Sequence, residues 1–178
     1  MSKKMSLLPM SILILALALT ACAPAATPTG GPAADFKDGT YTVEGKPVTL
    51  VDGLAESQSA PGSASKTVTR YLGNEATGDL NGDGLDDVVF LLTQDGGGSG
   101  LFYYLVAARN SEQGYVGTNA MLLGDRIGPK SVSIEDGVII VDFLERNPGE
   151  PFTVPPTLDV TRHFKLADGK LVELSIPE

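Results

Sequence analysis

The chain has no tryptophan, one cysteine, one histidine and only eleven phenylalanines and tyrosines in 178 residues. Each shortage excludes something. A single cysteine rules out an internal disulfide and any thiolate metal cage. A lone His163 leaves no second imidazole for a zinc site, and no GxSxG serine is present to pair with it. Basic residues are in the minority, 13 against 22 acids, for a formal charge of −9. Such a chain repels phosphate backbones and anionic headgroups, which argues against nucleic-acid binding and against docking to a membrane by charge. Long apolar runs are also missing. The one at Leu7 to Leu19 is too short to span a bilayer.

That run has a different meaning. Lys3 and Lys4 precede it and the small residues Thr20-Ala21 follow, which is the layout of a secretory signal, and the only cysteine stands directly after them at Cys22. An exposed unpaired thiol is a liability in an oxidising compartment. The order Leu19-Thr20-Ala21-Cys22 resembles the lipobox of bacterial lipoproteins. The resemblance implies that residues 1–21 are removed and that Cys22 becomes an acylated N-terminus. The partner would then be a membrane, held through the lipid anchor, with the protein facing the periplasm or exterior of a bacterial cell. Each buried methylene adds roughly 0.8 kcal/mol of membrane affinity, so two or three acyl chains anchor permanently. Ala23-Pro24 in place of an aspartate next to the cysteine favours an outer membrane where one exists. Loss of Lys3 and Lys4 takes the charge from −9 to −9 − 2 = −11.

Ala23 to Ala34 carry no charge, no aromatic and no large apolar side chain, so residues 22–35 are expected to be a flexible tether. Residues 36–178, roughly 140 in all, have the size of one domain. With 21 glycines, 12 prolines and no sustained 3.6-residue period, the fold class expected is mainly β: a single antiparallel β-rich domain, either a sandwich or a bent sheet. Strand patterns occur at Tyr41 to Val43, Val48 to Val51, Val68 to Leu72, Val88 to Leu92, Phe102 to Ala108, Val132 to Ile134, Val138 to Phe143, Val160 to Leu166 and Leu171 to Leu174. Val88 to Leu92 and Val138 to Val141 do not alternate, which predicts cover on both faces; Val160 to Leu166 alternates more closely. Asp136-Gly137 and Asp168-Gly169 predict tight hairpin turns, with Glu44-Gly45 as a third. Gly53 to Ser59 is the one place for a short helix, and Ser57 to Ser65 and Arg146 to Pro156 read as surface loops. Of Phe102-Tyr103-Tyr104 at most two share a face of a strand, which gives either core packing with one exposed tyrosine or an aromatic patch for a glycan or partner protein.

The strongest chemical signal is Asp79-Leu80-Asn81-Gly82-Asp83-Gly84-Leu85-Asp86-Asp87, leading straight into Val88. Oxygen ligands at alternate positions (Asp79, Asn81, Asp83), a glycine bend, the Leu85 carbonyl and Asp87 suit a hard cation taking six to eight oxygens. Asn-Gly and Asp-Gly would also make a solvated acidic turn without any ion. The position where an EF-hand places its closing glutamate is Phe90. The pattern DxNxDGxxD entering an apolar strand resembles the calcium loops of FG-GAP and VCBS repeats of integrin-type propellers. It implies structural Ca2+ at Asp79, Asn81, Asp83, Leu85 and Asp87, in a single copy. Arg70, Arg126 and Arg146 are the candidates for gripping a planar carboxylate. The glycine run Gly96 to Gly100 lacks the lysine of a phosphate loop and reads as a hairpin tip.

From Tyr41 onward, Thr69 to Asp79, Phe-Leu-Leu-Thr-Gln and Leu-Leu-Gly-Asp-Arg-Ile are similar to small bacterial lipoproteins that carry no assigned activity. The resulting expectation is a non-catalytic envelope lipoprotein that binds an envelope protein or glycan, or organises the envelope. Two alternatives stay open: an envelope hydrolase using Glu75, Asp79 and Asp142 with an arginine, and a proteinaceous inhibitor of an exported enzyme.

Overall fold

A computed structural model of the chain describes residues 31–175. Cys22, the signal segment and most of the expected tether lie outside the described residues. The described chain enters at an antiparallel bridge between Ala33 and Tyr115, whose amides and carbonyls exchange two hydrogen bonds of 2.8 Å. A single 3-10 turn follows at Phe36–Asp38, capped by the Asp35 carboxylate on the Lys37 amide. Everything after it is strand or turn.

Twelve strands form three antiparallel sheets. β1 (Thr40–Val43) and β2 (Lys46–Thr49) make a two-stranded hairpin. β3 (Leu54–Gln58), β4 (Lys66–Gly78), β5 (Asp87–Asp95), β6 (Leu101–Arg109) and β7 (Val116–Gly117) line up in chain order, with β8 (Met121–Asp125) also on β6. β9 (Gly128–Glu135), β10 (Val138–Glu145), β11 (Leu158–Ala167) and β12 (Lys170–Leu174) form a four-stranded meander. The six-stranded sheet is the middle layer. On one face, Val89, Leu91, Leu105 and Ala107 pack against Ile139, Val141, Phe143 and Phe164 of the meander. On the other, Val88, Phe90, Leu92 and Tyr104 pack against Tyr41, Val43 and Leu50 of the hairpin layer.

The two-sided cover explains why the Val88 to Leu92 run is continuously apolar: successive side chains feed different cores. The same expectation fails for β10. There Ile139, Val141 and Phe143 are buried while Val138, Ile140 and Asp142 are only half-covered, because the meander is an outer layer with one face open. The predicted hairpin turns form as expected. Glu44-Gly45, Asp136-Gly137 and Asp168-Gly169 all take positive φ at both positions, which matches the twist of the flanking strands. The segment read as a possible helix at Gly53 to Ser59 is instead edge strand β3, paired with β4 from Leu54↔Arg70 to Gln58↔Lys66. Ladder hydrogen bonds to β4 override the local helical preference of Leu-Ala-Glu-Ser-Gln, so the expected loop begins only after Gln58. β4 bends where its register to β5 shifts around Gly73 (φ 106°), and its far half leans on the meander, with Asn74 donating to the Lys130 carbonyl and Gly78 against Ile134. Among the described residues no helix is long and apolar enough to cross a membrane.

Candidate functional site

The acidic loop joins β4 to β5 and is organised by its own side chains. Asp79 accepts the amides of Asn81 and Gly82 on Oδ1 (3.1 and 2.7 Å) and of Gly84 on Oδ2 (2.9 Å). Asn81 Oδ1 accepts the Asp83 amide at 2.9 Å, and Asp83 Oδ1 the Leu85 amide at 2.8 Å. Three side chains of this kind at alternate positions, each bonding two residues ahead, curl the loop, and Gly82 and Gly84 supply the positive φ it requires. The Gly84 amide, with those of Gly82 and Asn81, holds the Asp79 carboxyl below its ordinary value against the effect of burial.

Asp87 behaves differently. It is fully buried, with Oδ1 on the Asn110 amide (2.7 Å) and Oδ2 on the Leu80 amide (3.1 Å), so it clasps the start of the loop to the end of β6. Burial raises its proton affinity and outweighs those two amides, while the charges of Asp83 and Asp79 push the same way. Leu85 is exposed. Among the described residues no three carboxylates, histidines or cysteines converge as a metal-holding group. The donor types, the curl and the ionised Asp79 suit a hard cation, but Asp79, Asp83 and Asp87 do not close into one cage in this arrangement.

The structure brings together two of the three candidate arginines. Arg126, in a left-handed conformation (φ 51°), stacks 3.8 Å over the Phe152 ring, and Arg146 lies 5.3 Å from the same ring. Arg146 and Phe152 border a cavity of about 260 Å³ with Asp125, Glu145 and Glu150. Both guanidinium groups are engaged within the protein. Arg126 forms a bidentate pair with Asp125 at 3.1 and 2.8 Å, the main reason that carboxyl lies below its usual range. Arg146 donates to the carbonyls of Val154 (2.6 Å) and Arg126 (2.9 Å), pinning the loop of residues 147–156. Arg70 stands apart on β4, exposed, opposite Leu54 and Thr93. The acids of the hydrolase alternative are dispersed. Glu75 meets Tyr71 and, at 3.6 Å, Lys37; Asp142 lies on the open face of the meander between the hydroxyls of Ser131 (2.8 Å) and Thr161 (2.6 Å).

No protein-family model, curated protein or solved structure matches this chain.

Two features escape sequence reading. Of the three aromatics on β6, the exposed one is Phe102 and not a tyrosine. Tyr104 is buried in the hairpin-side core with its hydroxyl on Glu44 Oε1 at 2.9 Å, and Tyr103 packs on the meander side. The second is a cleft between β2 and the rim of the middle sheet, where two adjoining cavities of about 200 and 350 Å³ share Pro47, Val48, Ser57, Thr67 and Gln94. The only available signal was the threonine alternation Thr67, Thr69 on β4. Its meaning depends on β3, which the sequence presented as helix or loop.

Proposed function

We propose that this chain is a lipid-anchored bacterial envelope protein, attached through Cys22, whose β domain is a non-catalytic binding module braced by calcium at the acidic loop. The observation that carries the calcium part is the succession of side-chain-to-amide turns at Asp79, Asn81 and Asp83. Asp79 Oδ2, Asn81 Oδ1 and Asp83 Oδ1 each accept one amide and retain a second lone pair, and the loop is curled as ligands at alternate positions require. Asp79, Asn81 and Asp83 would hold the ion from side chains and Leu85 from its carbonyl, with Asp87 as the remaining carboxylate of the set. A calcium ion there supplies charge neutralisation between neighbouring carboxylates and no chemistry on a substrate. The dispersal of Glu75, Asp79 and Asp142 among separate partners favours a binder over a hydrolase. The net acidic charge favours an envelope protein or glycan as partner over nucleic acid.

The test is a thermal melt of the full chain in chelator and then in calcium, with Asp83→Ala alongside. For an extracellular-type affinity near 0.1 mM, ~2 mM calcium adds about 1.8 kcal/mol and raises the midpoint by roughly 4 to 7 °C. The shift is expected to vanish in Asp83→Ala; no shift in the unmutated chain returns the loop to a plain acidic turn. For the anchor, Cys22→Ala should move the protein into the aqueous phase of a detergent phase separation, and retention in the detergent phase by this variant would refute lipidation.

A further inference from the structure

The cleft beside β2 differs chemically from the rest of this acidic molecule. One wall, Pro47 and Val48 of β2 with Ala55 of β3, is aliphatic; the floor is made of Ser57, Thr67, Thr69 and Gln94. These floor residues lie in neighbouring rungs, with Ala55↔Thr69↔Gln94 and Ser57↔Thr67 facing the hairpin layer. They continue the face that carries Phe90 and Leu92 where the sheet emerges from under the hairpin. The floor contains no carboxylate and no cation. The charged side chains that line the two cavities are Glu56, which Lys66 neutralises at 2.7 Å, and Glu44 and Lys46, which have opposite signs.

The polar groups are partly committed to one another. Gln94 Nε2 donates to Thr69 Oγ1 at 3.0 Å. Ser59 Oγ donates to the Gly96 carbonyl at 3.1 Å, so the 3.2 Å contact between Ser59 and Thr67 is donated by Thr67. Among the described residues no protein group engages the Ser57 hydroxyl or the second half of the Gln94 amide, and Thr67 keeps its acceptor capacity. The floor therefore offers both donors and acceptors, without charge of its own, next to an aliphatic wall. An anion or cation on the floor would lose hydration and meet no counter-charge there, and a purely apolar ligand would strip water from the hydroxyls without replacing it. A pyranose ring matches both surfaces, since its C–H face suits Pro47 and Val48 and each of its hydroxyls both donates and accepts. The larger cavity falls within the usual range for small-ligand sites.

We infer that this cleft is a binding site for a neutral saccharide unit, read by Ser57, Thr67 and Gln94 against the Pro47–Val48 wall. The inference rests on the domain's role as a binder and names the class of ligand. The probe is N,N′-diacetylchitobiose, a neutral sugar whose acetamide can pair with the Gln94 amide. Saturation transfer from the full chain, in a detergent without sugar headgroups, should reach the probe. Thr67→Val and Gln94→Leu should each weaken binding about tenfold, equivalent to roughly one hydrogen bond, while Asp142→Asn on the far sheet should not. Ser57 is exposed on an edge strand, so Ser57→Ala tests the floor without risk to folding. No transfer at the solubility limit of the probe overturns the inference, as does undiminished binding in both Gln94→Leu and Ser57→Ala. Transfer to the uncharged peptide N-acetyl-trialanine amide but not to the sugar overturns the saccharide class while leaving the binding role intact.

Discussion

The two faces of the middle sheet are built from alternate residues of the same strands, yet they are different materials. The face toward the meander is closed by leucine, isoleucine and valine, with Phe143 and Phe164 as its buried rings. The face toward the hairpin is organised by rings: Phe90 has Phe36, Tyr41 and Tyr71 around it at centroid distances of 5.3, 5.4 and 5.5 Å, the Tyr41 contact edge-on at 89°. The reason lies in what covers each side. Four strands supply enough backbone to bury small aliphatic side chains, whereas a two-stranded hairpin is marginal alone and needs wide side chains to fill the space beneath it. The rings also bring polar tips that pin the cover down. The Tyr41 hydroxyl donates to the Phe36 carbonyl at 2.6 Å and that of Tyr104 to Glu44 in the hairpin turn. The meander side has directed bonds as well, from Arg162 to the Leu122 carbonyl (2.8 Å) and between the Asn119 amide and the Leu171 backbone (3.1 and 2.8 Å), so the faces differ in that only the hairpin side takes its bonds from the rings of its own core.

This contrast can be broken at several points. The largest effect is expected from Phe90→Ala, which removes the hub of the ring cluster and should cost about 3–5 kcal/mol in denaturant unfolding. Hydrogen exchange should show β1 and β2 opening before β9 to β12; simultaneous opening would mean the faces are one unit. Next is Asp87→Ala, which leaves the buried amides of Leu80 and Asn110 without acceptors and should cost about 1–3 kcal/mol, a loss that calcium cannot repair. Tyr104→Phe should cost about 1 kcal/mol and loosen the Glu44 turn.

Smaller again is a pH effect confined to the ring side. Burial pushes Tyr41 and Tyr104 above the ordinary tyrosine range and, with Glu75, pushes Tyr71 up to about 12. The unfolded chain releases these protons first, so the stability they confer is intact below pH ~10 and declines as pH rises from there toward the folded values. A midpoint that stays flat to pH ~11 would contradict this. On the acid side, Asp79, Asp125, Asp142 and Glu173 titrate below their usual values, so stability falls once pH drops below ~4, with Asp87 acting in the opposite sense. The smallest effect is Lys66→Ala, where an exposed, solvent-screened pair with Glu56 is lost and the denaturation midpoint should barely move.

The parts of this fold legible from sequence are those whose signal is local. Asp-Gly and Glu-Gly steps fix turns through their own φ preferences, and β5 announces double burial by never alternating. β10 shows where that logic ends. Val138-Ile-Ile-Val reads like β5, but Ile140 and Val138 face an open sheet surface, and whether a third layer exists is decided by strands far away in the chain. β3 was hidden for the same reason, since its identity comes from β4. At the acidic loop, residue types and spacing anticipated the curl. That Asp87 lies buried between two amides depends on Asn110, and nothing in the spacing points there. Arg126 and Arg146 did prove neighbours, joined through Phe152, but their engagement with Asp125 and the Val154 carbonyl is a matter of side-chain direction.

The bridge between Ala33 and Tyr115 is small, two hydrogen bonds at the edge of the middle sheet, and Gly114 is required beside it because a Cβ there would lie 2.4 Å from the Ala33 oxygen. In mechanical terms it is the first fastening that any pull on the preceding segment would reach. Those bonds would yield before the Phe36–Asp38 turn, and the turn before the ring cluster, so load would be shed in steps at the periphery and the long strands β5 and β6 would feel it last.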